Sequence, residues 1–170
     1  MARPQAHDAA VYFHNYINYV IGDSVQEVIQ NHSKELLEFY MNLPEAKADY
    51  AYAEGKWTIK EVLQHTTDSE RVFSYRALRF ARKDATPLPS FDQNLYAANS
   101  HAASRTLQWL KEEFAAVRKS TELLLQSFSE EQLAQTGTAG NNSITVNAIA
   151  FIIYGHLLHH KKILEDNYLV

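Results

Sequence analysis

The sequence predicts an all-α protein, a four-helix bundle, on three observations. Its 170 residues include only five Gly and four Pro, too few breakers for many short strands. Four long stretches place apolar residues at the 3.6-residue period of amphipathic helices. No repeat, low-complexity tract or composition change marks a boundary, so residues 1–170 read as one domain large enough to bury a core.

The first helical region is expected from about Asp8 to Asn42, broken near Gly22-Asp23-Ser24. Ser24 and Glu27 have capping-box spacing and restart the helix. Val28, Ile29, Leu36, Leu37 and Tyr40 keep the period until Pro44 stops it. After a polar segment ending in Gly55, Thr58 and Glu61 form a second capping box. The helix that follows buries Ile59, Val62, Leu63, Phe73, Ala77 and Phe80 and ends near Lys83. Residues Ala85 to Ala97, with Pro87 and Pro89, read as a loop, and one this long is often functional. A third helix is expected over about Ser100–Ser127, with a short helical turn at Ser129. Thr136 to Asn142 reads as a flexible connection, and a last helix runs over about Ser143–Asn167.

Composition limits the chemistry. Net charge is −4 with scattered Lys and Arg, which argues against a nucleic-acid partner held by phosphate contacts. There is no cysteine, hence no disulfide, thiolate ligand or cysteine nucleophile. The opening residues Met1 to Asp8 lack the apolar run of a signal peptide, and no stretch reaches the length of a membrane span. A soluble, cytoplasmic protein is therefore expected, with no membrane partner.

The most informative segment is Gly155-His156-Leu157-Leu158-His159-His160. His156 and His160 are four apart, so one helix turn puts both imidazoles on one face, as in the paired histidines of H-E-x-x-H helices. A His156/His159 pair is also geometrically possible, but i,i+4 projects more closely along one face, so His159 is expected to point aside. His65, on the margin of the second helix's apolar stripe, offers a third imidazole. Three imidazoles suit Zn²⁺ or Ni²⁺, with Fe²⁺ or Mn²⁺ as alternatives, and leave coordination positions open for water or a substrate atom. His7, His14, His32 and His101 are expected to face solvent.

Three blocks in order carry a family resemblance: Lys56-Trp57-Thr58-Ile59-Lys60-Glu61-Val62-Leu63-Gln64-His65 with Asp68-Ser69-Glu70-Arg71; Thr86-Pro87-Leu88-Pro89-Ser90-Phe91-Asp92-Gln93; and Gly155 to His160. Together they resemble the DinB-like (YfiT-like) metalloprotein superfamily over nearly the whole chain, from about Tyr12 to Leu169. The resemblance implies up-down-down-up topology with a long crossover between helices two and three. It implies a divalent metal held at positions that fall here on His65, His156 and His160. It also implies a homodimer and a small-molecule substrate, in some related enzymes together with a low-molecular-weight thiol.

Around this centre, Glu61 and Asp68 lie within helical reach of His65 as acceptors for its second ring nitrogen. Trp57 reads as a core plug or staple. Asp92 is a candidate proton acceptor or an Asx-turn residue. Arg76 and Tyr96 are candidates for binding a substrate carboxylate, although a salt bridge to Glu70 or Glu113 would account for Arg76 without a ligand. Tyr154 either lines a pocket or packs. Two functions follow: a metal-dependent enzyme activating water or a small thiol (hydrolase or thiol S-transferase), or a non-enzymatic dimeric protein whose metal is structural or which only binds a ligand. A Ser-His-Asp hydrolase is disfavoured, because no Gly-x-Ser-x-Gly elbow is present.

Overall fold

Four long helices carry the architecture of the computed structural model, which describes residues 1–170. In chain order the elements are α1 (His14–Tyr19), α2 (Val25–Met41), α3 (Ile59–Ala81), α4 (Gln93–Asn99), α5 (Leu107–Gln126), α6 (Glu130–Leu133), strands β1 (Thr136–Ala139) and β2 (Asn142–Thr145), and α7 (Val146–Asn167). The bundle is made of α2, α3, α5 and α7. Each starts at a hydroxyl cap: Ser24, Thr58, Thr106 and Thr145 accept from the backbone N–H groups of Glu27, Glu61, Trp109 and Ala148. At Thr58 the Glu61 carboxylate returns the bond to the Thr58 N–H at 2.7 Å, completing the expected capping box. At α2 it does not: Glu27 accepts instead from the Asp23 N–H at 2.8 Å.

Contacts between helices fix their directions. Arg105, just before α5, donates to Gln64 near the start of α3, and Arg118 donates to Glu70 farther along, so α3 and α5 run parallel. The Tyr168 hydroxyl at the end of α7 donates to the Trp57 carbonyl before α3, so those two are antiparallel. Lys111, early in α5, donates to the Leu43 carbonyl beyond the end of α2, making that pair antiparallel as well. The result is up-down-down-up, with the connection 82–106 crossing from one end of the bundle to the other.

One apolar cluster of 35 buried residues fills the interior, with Leu36, Tyr40, Ile59, Leu63, Phe114 and Phe151 deep within it. The same interior holds a buried ion pair, Arg118 Nη1 to Glu70 Oε1 at 2.9 Å, with the guanidinium over the Tyr154 ring. No helix is long and apolar enough to cross a membrane.

The structure corrects several expectations. The first helical region contains two 3₁₀ turns, Ala6–Asp8 and Val11–Phe13, before α1. Between them Ala9 is extended, and the His14 ring binds the carbonyls of Ala6 and Ala9 that a helix would have used. His14 is therefore half-buried and engaged. His32 is buried, its Nε2 accepting from the Ile21 N–H at 2.9 Å, which holds down the break between α1 and α2. The third helix begins at Leu107 because His101 is left-handed (φ 55°) and Thr106 supplies the cap. The expected loop contains α4, which Asp92 caps.

Residues 136–142 belong to a β-hairpin rather than to a flexible connection. Ala139 pairs with Asn142 across Gly140 and Asn141, both at positive φ (56° and 67°), as a two-residue type I′ turn requires. Leu88 docks on this hairpin, donating to the Thr138 carbonyl and accepting from the Gly140 N–H. The Pro-flanked connection is thereby pinned beside the end of α3.

Candidate metal centre

The centre lies where α3 and α7 cross. His65 sits in the first half of α3, while His156 and His160 occupy successive turns of α7, and all three are buried (5, 6 and 9% exposed). His156 Nε2 lies 3.1 Å from His65 Nε2 and 3.2 Å from His160 Nε2. One ring nitrogen from each residue lies within 4.8 Å of the others.

These distances do not make sense as hydrogen bonds alone. A neutral imidazole Nε2 carries either one N–H or one lone pair, so His156 Nε2 cannot serve both neighbours well. A shared cation resolves the conflict. Two nitrogens about 2.05 Å from one ion and about 100° apart lie about 3.1 Å from each other. Burial, reinforced at His65 by the nearby His159 and at His156 by His160, pushes the imidazoles towards their neutral, lone-pair form; His65 is lowered to about 4, and His156 and His160 fall well below the ordinary 6.5. The residues present therefore fit a divalent transition metal.

Aromatic rings hold the imidazoles in place. Trp57 packs on His65 at 4.7 Å between centroids, and Tyr16 meets His156 edge-on at 5.5 Å. Tyr16 can come this close because position 155 is glycine. A Cβ there would lie 2.0 Å from the Tyr16 carbonyl oxygen. His65 Nδ1 has Ser69 Oγ at 3.5 Å, and His160 Nδ1 is buried without a partner. Beside the centre opens a cleft of about 290 Å³, whose walls include His156, Ser69, Phe73, Phe13, Tyr16 and Arg76.

A model of the DinB superfamily matches residues 29–164. The chain belongs to the DinB superfamily. Among curated relatives, this DinB protein is 26% identical over 148 residues to an Oceanobacillus iheyensis protein named "Putative metal-dependent hydrolase", covering 82% of this chain and 83% of that one. Among solved structures it resembles YfiT from Bacillus subtilis, described as "a probable metal-dependent hydrolase with an unusual four-helix bundle topology" (TM-score 0.68, 15% identity, 96% and 89% coverage). It also resembles the mycothiol-dependent maleylpyruvate isomerase (TM-score 0.64, 9% identity), spanning 91% of this chain and 60% of that one. At such identities both structures speak to the fold.

The remaining sequence candidates of this DinB protein divide by position. His159 is half-buried, and its ring turns to Tyr16 and Tyr19 rather than to the three nitrogens. Asp92 is not brought to the histidines: its Oδ1 caps α4, accepting from the Asn94 and Leu95 N–H groups, so the Asx-type reading holds. Tyr96 stands 45% exposed against Phe91 in a neighbouring groove that shares Arg76, Ser90 and Phe91 with the cleft but does not reach the histidines. Glu61 is occupied by the Thr58 cap, and Asp68 by Gln64 and Arg71. Tyr154 packs in the core, bonded to Ser33. Arg76 does line the cleft, and it makes no salt bridge, since Glu70 pairs with Arg118 and Glu113 with Arg71 and Arg105.

Sequence reasoning missed Ser69 and Phe73 as cleft residues, although they lie four and eight positions after His65 on one helical stripe. Trp57 acts against His65, beyond the plug or staple expected of it. Tyr16 carries no sequence signal of its own.

Proposed function

We propose that this protein is a metal-dependent hydrolase acting on a small molecule held in the aromatic cleft, with an external low-molecular-weight thiol as the alternative nucleophile to water. One observation carries the reading. The cluster supplies three neutral nitrogen donors, and no fourth His, Cys, Asp or Glu joins it. A structural site is normally closed by four protein ligands, whereas a catalytic one keeps a position open. The structural-metal alternative lacks that fourth donor. The curated relative's name supports the same reaction class.

His65, His156 and His160 would hold the ion through Nε2, and Zn²⁺ or Ni²⁺ suits such a donor set. The ion, when bound, supplies a Lewis acid that makes water or a thiol nucleophilic near neutral pH. The chain's own residues provide the rest. Ser69 orients His65, while Trp57 and Tyr16 fix the imidazole planes and keep bulk water from their faces. Phe73 and Phe13 receive the apolar part of the substrate. With no cysteine in the chain, a sulfur nucleophile has to come from outside.

The test is elemental analysis of untagged protein with His65→Ala and His160→Ala. Stoichiometric metal lost in both variants supports the centre; unchanged content overturns the ligand assignment. Turnover of activated esters without added thiol then supports hydrolysis. Turnover only with a small thiol supports transfer.

A further inference from the structure

The cleft beside the three histidines has an uncompensated positive charge at its far wall. Arg76 is only 8% exposed, yet its one hydrogen bond to protein runs from Nη2 to the Pro89 carbonyl at 2.8 Å. The Phe91 ring lies 5.8 Å from the guanidinium carbon. A guanidinium carries five N–H donors, so most of its donors are unused by the protein. Other sequestered guanidinium groups are treated differently. Arg118 is paired with Glu70 and Arg105 with Glu113, while Arg3 spends its donors on three backbone carbonyls.

The cleft lining contains no Asp or Glu, and Arg76 is its single charged side chain. This is notable in a chain of net charge −4. Burial also pulls the Arg76 guanidinium below its ordinary pKa, as expected of a cation that lacks a counter-charge. The His156 ring lies 6.0 Å from the Phe73 ring between centroids, and Phe73 stands one helical turn before Arg76 on α3, so a phenyl ring separates the two ends of the cleft. A ligand reaching both ends therefore has to be longer than a simple anion such as acetate. Between the two ends the walls are the rings of Phe73, Phe13 and Tyr16.

We propose that the substrate is an elongated anion: its carboxylate or phosphate end is bound by Arg76, its carbon body lies on the aromatic wall, and its reacting end points to His156. The inference rests on the proposed metal centre only for where the reacting end lies. The anion subsite stands on the unpaired arginine and the acid-free lining. Arg76 presents a planar fork to the anion, a geometry that lysine does not reproduce.

The test is calorimetric binding of phenylacetate, phenylphosphate and the neutral 2-phenylethanol to zinc-loaded full-length protein, repeated after chelation. Wild type, Arg76→Met and Arg76→Lys are compared, and their melting curves and zinc content are recorded. A charge-assisted hydrogen bond predicts that wild type binds at least one of the anions roughly tenfold or more tighter than the alcohol. That preference survives chelation, disappears in Arg76→Met and is partly kept in Arg76→Lys, with zinc content unchanged in all three. The tighter of the two anions identifies the headgroup. Equal binding of anions and alcohol by wild type overturns the proposal without reference to any variant. A preference that vanishes on chelation but persists in Arg76→Met also overturns it, because the anion then sits on the metal. Failure of the metal reading shows separately, as wild-type protein that takes up no zinc.

Discussion

Gly155→Ala isolates the contact that closes the centre on its α1 side. The added Cβ would lie 2.0 Å from the Tyr16 carbonyl oxygen and 2.4 Å from its carbon, where ordinary contact begins near 3.4 Å. To restore that spacing α1 must retreat from α7 by roughly 1 Å or more. Alanine gains about 1 kcal/mol of helix propensity over glycine. Overpacking costs about 1–3 kcal/mol, and the upper end applies here because the obstacle is main chain. The net expectation is a loss of about 2 kcal/mol, or about 4–8 °C in Tm for a chain this size. Thermal and urea unfolding measure it. Because the clash is with a carbonyl, adding Tyr16→Ala does not restore stability. As Tyr16 is drawn off His156, the metal affinity of Gly155→Ala also falls. A variant as stable as wild type, or stabilised by the propensity gain, would refute this account of α1 packing.

Three further outcomes are expected. Arg118→Met leaves the Glu70 carboxylate buried without its cation and costs about 3–5 kcal/mol in urea unfolding; adding Glu70→Met recovers most of the loss, and a strictly additive double variant would contradict the pairing. Thr58→Ala removes the cap of α3 and lowers stability by about 1 kcal/mol, with a urea midpoint equal to wild type counting against it. Metal-stripped protein loses stability as pH falls below 6.5, because burial keeps His32, His65, His156 and His160 neutral when folded while the unfolded chain takes up protons. Above 6.5 both states are neutral and the contribution vanishes. For His65, lowered to about 4, the loss between 6.5 and that value is about 3 kcal/mol. Urea midpoints at pH 7.5 and 5 read the trend, and a flat profile would be the wrong result.

The bundle was legible because its helices advertise themselves locally. Pro44 marks the stop of α2, Thr58 and Glu61 the start of α3, and the apolar period within each helix sets its buried face. The pair His156 and His160 was legible for the same reason, being one turn apart on one helix. Their meeting with His65 was not fixed by spacing, since it depends on how α3 and α7 cross. What escaped was structure dependent on backbone conformation or on distant partners. Gly140-Asn141 is a tight turn only because both residues take positive φ. His32 is buried only because the chain break at Ile21 folds onto it. The isolation of Arg76 became visible only when every neighbouring carboxylate was seen to be taken.

The crossover between α3 and α5 has more chain than its task demands. Covering the length of α3, about 34 Å at 1.5 Å per residue, takes only about ten extended residues, whereas residues 82–106 are available. More than half of this strap is therefore surplus to joining the two parallel rods. It is from this slack that Ser90, Phe91 and Gln93 reach the mouth of the cleft. The tether can thus be rewritten, residue by residue, to admit different molecules while the imidazole cluster beneath it keeps its shape.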